Sequence, residues 1–179
     1  MIYPHNFING VFWDRLLRIE YIERLENMNT TIYEALAKYK KDDTLPYTEY
    51  FSLGYFSTKD LAENAIMLAK QLSGFREFCD ENFYIEEFVL NDGVPRNYSV
   101  DDPIKNNEVF ILWYGYDVDA IYTVGGTLGV FSDYKYAVLA KEKYSTWDIF
   151  IVHGLENFGI GKVVLNERQW VDGFVTVYD

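Results

Sequence analysis

The chain has 179 residues, 49% of them hydrophobic, and carries 16 basic against 28 acidic side chains for a net charge of −12. That length supports one bipartite domain or two small ones, and the charge argues against nucleic acid or anionic lipid as a direct partner, since both reward positive charge. A single cysteine, Cys79, excludes an intramolecular disulfide and a cysteine-built metal cluster, and reads as a small half-buried residue.

The N-terminal stretch MIYPHNFINGVF lacks the basic and continuously apolar regions of a signal peptide, and no apolar run approaches the roughly 18 residues that span a bilayer. The expected location is cytoplasmic, with no membrane partner. Residues 1–30 then form a helical segment: Phe12, Leu16, Ile19, Ile22 and Leu25 recur at helical spacing between Asn9 and Glu26, an amphipathic stripe able to cap apolar surface.

From Leu53 the chain begins to repeat itself. Leu53–Asp92 aligns without a gap on Leu128–Glu167 at a constant offset of 75, with 14 of 40 positions identical. The identities concentrate in LGYFS against LGVFS and in ENFYIEEFVLN against ENFGIGKVVLN. Self-similarity at one period means one supersecondary unit used twice. Each unit opens on a strand, Thr31–Tyr39 and Glu108–Tyr116; the strongly β-forming EVFILWYGY decides for strand in TIYEALAKY, where Ile32, Glu34 and Leu36 break strict alternation.

A second strand ends in each Leu-Gly-x-Phe-Ser block. Ser57 and Ser132 then stand where helix N-caps belong, and Leu61, Ala65, Leu68, Ala69 and Leu72 form one helical face before Gly74. The second helix ends near Tyr144. Third strands follow at Phe83–Leu90 and Phe158–Leu165. The expected fold is therefore α+β: two tandem ββαβ units with mainly antiparallel sheet, unit 1 over 31–92 and unit 2 with its tail over 108–179, joined by a proline-bearing linker over 93–107. One helix cannot cover both faces of a three-stranded sheet, so the units are expected to pack together with pseudo-twofold symmetry.

The pattern L-G-[YV]-F-S, an alanine five residues after that serine, F-x-I-x-x-x-V-L-N and a terminal W-V-D-G-F-V-T-V resembles a small bacterial domain family. About 60 residues of each unit carry the likeness, and Trp170–Val177 is its most specific piece. Unit 1 keeps a Gly74-Phe75 pair but lacks the tail; unit 2 has the tail but reads Ile149-Phe150. The resemblance implies an immunity protein of a bacterial toxin system and supplies no catalytic residues.

No motif in the chain builds an active site. His5 and His153 stand alone, and His153 reads as a core or turn residue; no metal or cofactor is expected. GIGK at Gly159–Lys162 lies within a strand and lacks the rest of a phosphate loop, and the last glycine of VGGTLG, Gly129, matches Gly54 of unit 1 and is explained by backbone geometry. The paired carboxylates fall largely in turns, where solvation is the usual fate, so the chain is not expected to be an enzyme. The two copies differ most where GFREFCDENFYIEEF faces IFIVHGLENFGIGKV, charged in one and apolar in the other. Glu77, Asp80, Glu81, Glu86 and Glu87, with Asp117 and Asp119, are the candidate partner-binding residues, while Phe150 and Val152 are expected to be buried. The expected function is neutralisation of a basic, nuclease-type protein toxin by occlusion. The alternatives are an acidic nucleic-acid mimic that inhibits restriction or CRISPR-type effectors, and a small-molecule-binding domain with its pocket between the units.

Overall fold

A computed structural model describes residues 30–39, 49–100, 103–117 and 123–174. The N-terminal segment predicted as a helix, Asp119, and the chain after Phe174 lie outside the described residues.

Each unit is a three-stranded antiparallel sheet with its first strand in the centre. In unit 1, β1 (Thr31–Tyr39) lies between β2 (Glu49–Phe56) and β3 (Phe83–Val89); in unit 2, β4 (Glu108–Asp117) lies between β5 (Thr123–Phe131) and β6 (Phe158–Val164). Helix α1 (Lys59–Ala69) follows β2 and α2 (Tyr134–Tyr144) follows β5, completing the predicted ββαβ order. The copies agree down to an irregularity. Ala35 pairs with Gly54 and Leu36 with Ser52, leaving Leu53 unpaired, and Leu112 pairs with Gly129 and Trp113 with Thr127, leaving Leu128 unpaired. A bulge kept at one repeat position in both copies is a built feature of the unit.

Strand alternation gives each sheet two apolar faces. Ala35, Ala37, Leu53 and Phe56 meet Ala62, Ala65 and Ala69 of α1; Leu112, Tyr114 and Phe131 meet Tyr136, Ala137 and Ala140 of α2. Small alanines let each helix approach its sheet closely. The opposite faces meet each other through Ile32, Tyr55 and Leu90 of unit 1 and Val109, Ile111, Val130 and Leu165 of unit 2. The order of layers is helix, sheet, sheet, helix, with the seam buried between the sheets. Leu61 is 40% exposed, so Ala62 rather than Leu61 leads the buried face of α1.

The seam follows a pseudo-twofold relation. Asn91 N–H donates to Val130 O at 2.8 Å, and its repeat equivalent Asn166 donates to Tyr55 O at 2.8 Å. Both asparagines sit at positive φ, 63° and 67°, a conformation Asn tolerates better than other non-glycine residues. Their side chains take the two serines expected to cap the helices. The N-caps stand one residue later: Thr58 accepts from Leu61 N–H and Asp133 from Lys135 N–H. Ser57 and Ser132 instead bind Asn166 and Asn91 of the opposite unit.

Chain ends cross over as well. The segment after β6 lays Trp170 and Phe174 on unit 1, where Phe174 stacks on Phe51 at 5.0 Å, meets Phe75 edge-on at 4.8 Å and donates its N–H to Ser73 O at 3.0 Å. The stretch after β3 crosses the other way: Val94 and Val100 pack on the core of unit 2, and Tyr136 Oη donates to Ser99 O at 3.0 Å. The Gly74-Phe75 pair of unit 1 and the Trp-containing tail of unit 2 are thus two halves of one contact.

Candidate interaction surface

The 3-10 turns at Phe75–Glu77 and Asp80–Asn82 carry three of the predicted carboxylates. Phe75 is buried and Phe78 packs partly buried against the same core, which turns Glu77, Asp80 and Glu81 outward. Asn82 Oδ1 accepts the N–H of Cys79 at 2.8 Å and closes the second turn. Cys79 is exposed rather than half-buried, at the start of this turn.

β3 carries the next two. Period-two alternation sends neighbours to opposite faces. Glu87 shares a face with Phe83 and Ile85, which pack toward α1, and comes within 3.9 Å of Lys59 Nζ. Glu86 shares the seam-side face with Phe88 and pairs across strands with Glu34. The two glutamates are both exposed but do not form one pair. Asp117 is exposed at the end of β4, in unit 2.

Glu77, Asp80, Glu81 and Glu87 therefore lie along unit 1's helical side. Lys70 Nζ reaches Asp80 at 2.7 Å and Lys59 Nζ comes within 3.9 Å of Glu87; the two lysines stand about 16 Å apart along α1 at about 1.5 Å per residue. The hydrogen bond and charge of Lys70 hold the Asp80 carboxyl below its usual range, so it is fully ionised at neutral pH.

Among the described residues one carboxylate is buried, and it is not among the predicted set. Glu34 on β1 is 3% exposed at the seam, at the repeat position where unit 2 has Ile111. Thr127 Oγ1 of unit 2 donates to Glu34 Oε2 at 3.1 Å, and the Tyr55 hydroxyl lies 2.9 Å from the same Thr127 oxygen. Ser52 Oγ is buried beside this carboxylate and favours its charged form, as do the Tyr55 and Thr127 hydroxyls. Burial pushes the Glu34 pKa up, against the hydrogen bonds that lower it, and Glu86 adds to the rise. The Tyr55 hydroxyl is pushed up by burial and then by Glu34, and Tyr84 by burial and then Glu86 to about 12. The interruption of β1 by Glu34 was the visible sign of this cluster, but its partner Thr127 lies 93 positions away.

Unit 2 presents the contrast in side chains at the same span. Phe150 is buried against Tyr114 and Phe158, but Val152 is 76% exposed, on the outer side of helix α3 (Asp148–His153). His153 ends that helix exposed and stacked 3.9 Å from the Tyr116 ring, a turn position and not a core one.

Among the described residues no three His, Cys, Asp or Glu side chains come together as a metal site, and no helix is long and apolar enough to cross a membrane. No protein-family model, curated protein or solved structure matches this chain.

Proposed function

We propose that the chain is an immunity-type binding protein that neutralises a basic, nuclease-type toxin through the acidic helical side of unit 1. The observation that carries this reading is the set of exposed carboxylates Glu77, Asp80 and Glu81, on turns beside buried Phe75, and Glu87 on β3, two of them paired with Lys70 and Lys59. Such a face speeds encounter with a cationic partner and repels nucleic acid, so the partner would be captured before it meets its own substrate. Affinity would come from aromatic and apolar groups beside the charges, which lose water on contact. Nothing in this mechanism requires a bond to be made or broken.

The test is binding to the product of the adjacent gene, which this reading predicts to be a basic protein. The triple charge reversal Glu77→Lys, Glu81→Lys, Glu87→Lys should slow association at least tenfold at low salt, with a folded chain by circular dichroism. An unchanged association rate removes the acidic stripe from the interface.

A further inference from the structure

The repeat offers two equivalent seats on its outer helical sides, and among the described residues a crossing tryptophan and phenylalanine fill only the one on unit 1. In unit 1, the seat is Phe51 on β2 and Phe75 on the following turn. The extended tail fills it with Trp170 and Phe174, which lie 5.4 Å and 5.0 Å from the Phe51 ring. Gly74 leaves the space: a β-carbon there would stand 2.8 Å from the Phe174 ring.

In unit 2 the equivalent positions are Gly126 and Phe150. Gly126 is exposed, with open space where a β-carbon would stand, and lies on the same sheet face as Tyr114, its cross-strand partner. Where unit 1 has Leu72, Arg76 and Glu77, unit 2 has Trp147, Ile151 and Val152, which are 48%, 53% and 76% exposed. Trp147 stacks on Phe150 with ring centroids 6.1 Å apart, so the apolar surface is continuous from the core to solvent. The segment that crosses onto unit 2 packs with Val94 and Val100; its one aromatic residue is Tyr98, 43% exposed, and it brings no tryptophan or phenylalanine. Arg76 and Glu77 of unit 1 thus correspond to apolar residues on the copy whose crossing segment brings no tryptophan or phenylalanine. Solvation alone favours the opposite change.

We infer that the surface of Gly126, Trp147, Ile151 and Val152 is a docking seat for an extended segment of a partner protein that presents aromatic side chains, as the tail does on unit 1. The molecule itself shows the kind of occupant: an extended chain with two aromatics four residues apart, laid on an edge strand and the turn beside it. The seat lies on the other unit from the acidic stripe and does not depend on the partner's charge.

The probe is a peptide of residues 168–176, which carries Trp170 and Phe174, titrated into the isotope-labelled full-length chain. Saturable shifts of the Trp147 indole and Gly126 amide signals are expected, lost when both aromatics of the peptide are replaced by serine. Gly126→Phe restores the residue found in unit 1 and fills the seat from within, so it should weaken these shifts at least tenfold. Ile151→Lys, at an exposed position, should do the same without touching the core. Shifts confined to the surroundings of Phe75, meaning exchange with the chain's own tail, would overturn the seat, as would equal binding by Gly126→Phe and Ile151→Lys.

Discussion

The side-chain carbonyl of Asn166 accepts both the N–H of Ser57, at 2.9 Å, and its hydroxyl, at 3.1 Å, across 109 positions of chain. Asn91 holds Ser132 in the same manner, with Oδ1 2.9 Å from the Ser132 nitrogen and Nδ2 donating to Ser132 Oγ at 3.0 Å. Each unit's last strand thereby ends on the other unit's second strand, so neither folds its edge without its neighbour. Burial separates the two clamps: the Asn91 pair is partly buried and the Asn166 pair is exposed.

Removing the clamps should cost unequally. Glycine is the informative replacement, because alanine would add strain at positive φ. Asn91→Gly should lose about 1–2 kcal/mol, having left part-buried groups unpaired, and Asn166→Gly about 0.5–1 kcal/mol, since water replaces the exposed bond. Urea unfolding of the two variants measures the difference.

The bulge glycine is open to a direct test of backbone approach. At Gly54, φ is 132° and a β-carbon would stand 2.5 Å from Glu167 O, the chain of the other unit. Gly54→Ala should destabilise by about 2–3 kcal/mol. Gly126→Ala, in open space on the equivalent strand, should shift the midpoint of urea unfolding little.

Loss of the tail's aromatic contact should be felt in unit 1 although the residue belongs to unit 2. Phe174→Ala removes a ring packed on Phe51, Phe75 and Phe78, for about 2 kcal/mol, less than a fully buried phenylalanine because Phe174 remains partly exposed. Amide exchange should accelerate first in the turns at residues 75–82 and in β2, and remain slow in α2.

The buried Glu34 makes stability depend on pH with a definite sign. Its folded pKa lies above the unfolded one, so the native state holds the proton more tightly; stability is greatest below the unfolded pKa and declines as pH rises through the folded value. The slope from this one group reaches at most ~1.4 kcal/mol per pH unit. Glu34→Gln, neutral at every pH, should remove that slope and be more stable than the parent chain above the folded pKa. Chemical unfolding from pH 4 to 8 measures it; an identical profile for the two proteins contradicts a buried, proton-retaining Glu34.

Strand and helix order were legible because the duplication let a clear copy interpret an ambiguous one: EVFILWYGY identified TIYEALAKY, and the ends of both third strands fell within one residue of those read. What escaped were uses of a residue set by distant chain. Ser57 and Thr58 are both competent N-caps, and only Asn166 on the other unit decides that Thr58 caps while Ser57 clamps. Glu86 and Glu87 read as one acidic pair, yet the pleat separates them, one toward the buried Glu34 and one toward Lys59. Val152 lies in an apolar run, and its exposure follows from the turn of α3 that buries Phe150 instead. Glu34 showed itself as a break in an apolar strand, but its hydroxyl partners became visible only once the two sheets were face to face.

The most direct test of the acidic stripe is the association rate with the product of the adjacent gene, expected to be a basic protein, measured by stopped flow from about 50 to about 500 mM salt. An electrostatically steered encounter predicts a rate that falls at least tenfold over that range for the parent chain and is slow and nearly salt-independent for the triple reversal at Glu77, Glu81 and Glu87. Equal rates and equal salt dependence for the two proteins would contradict it.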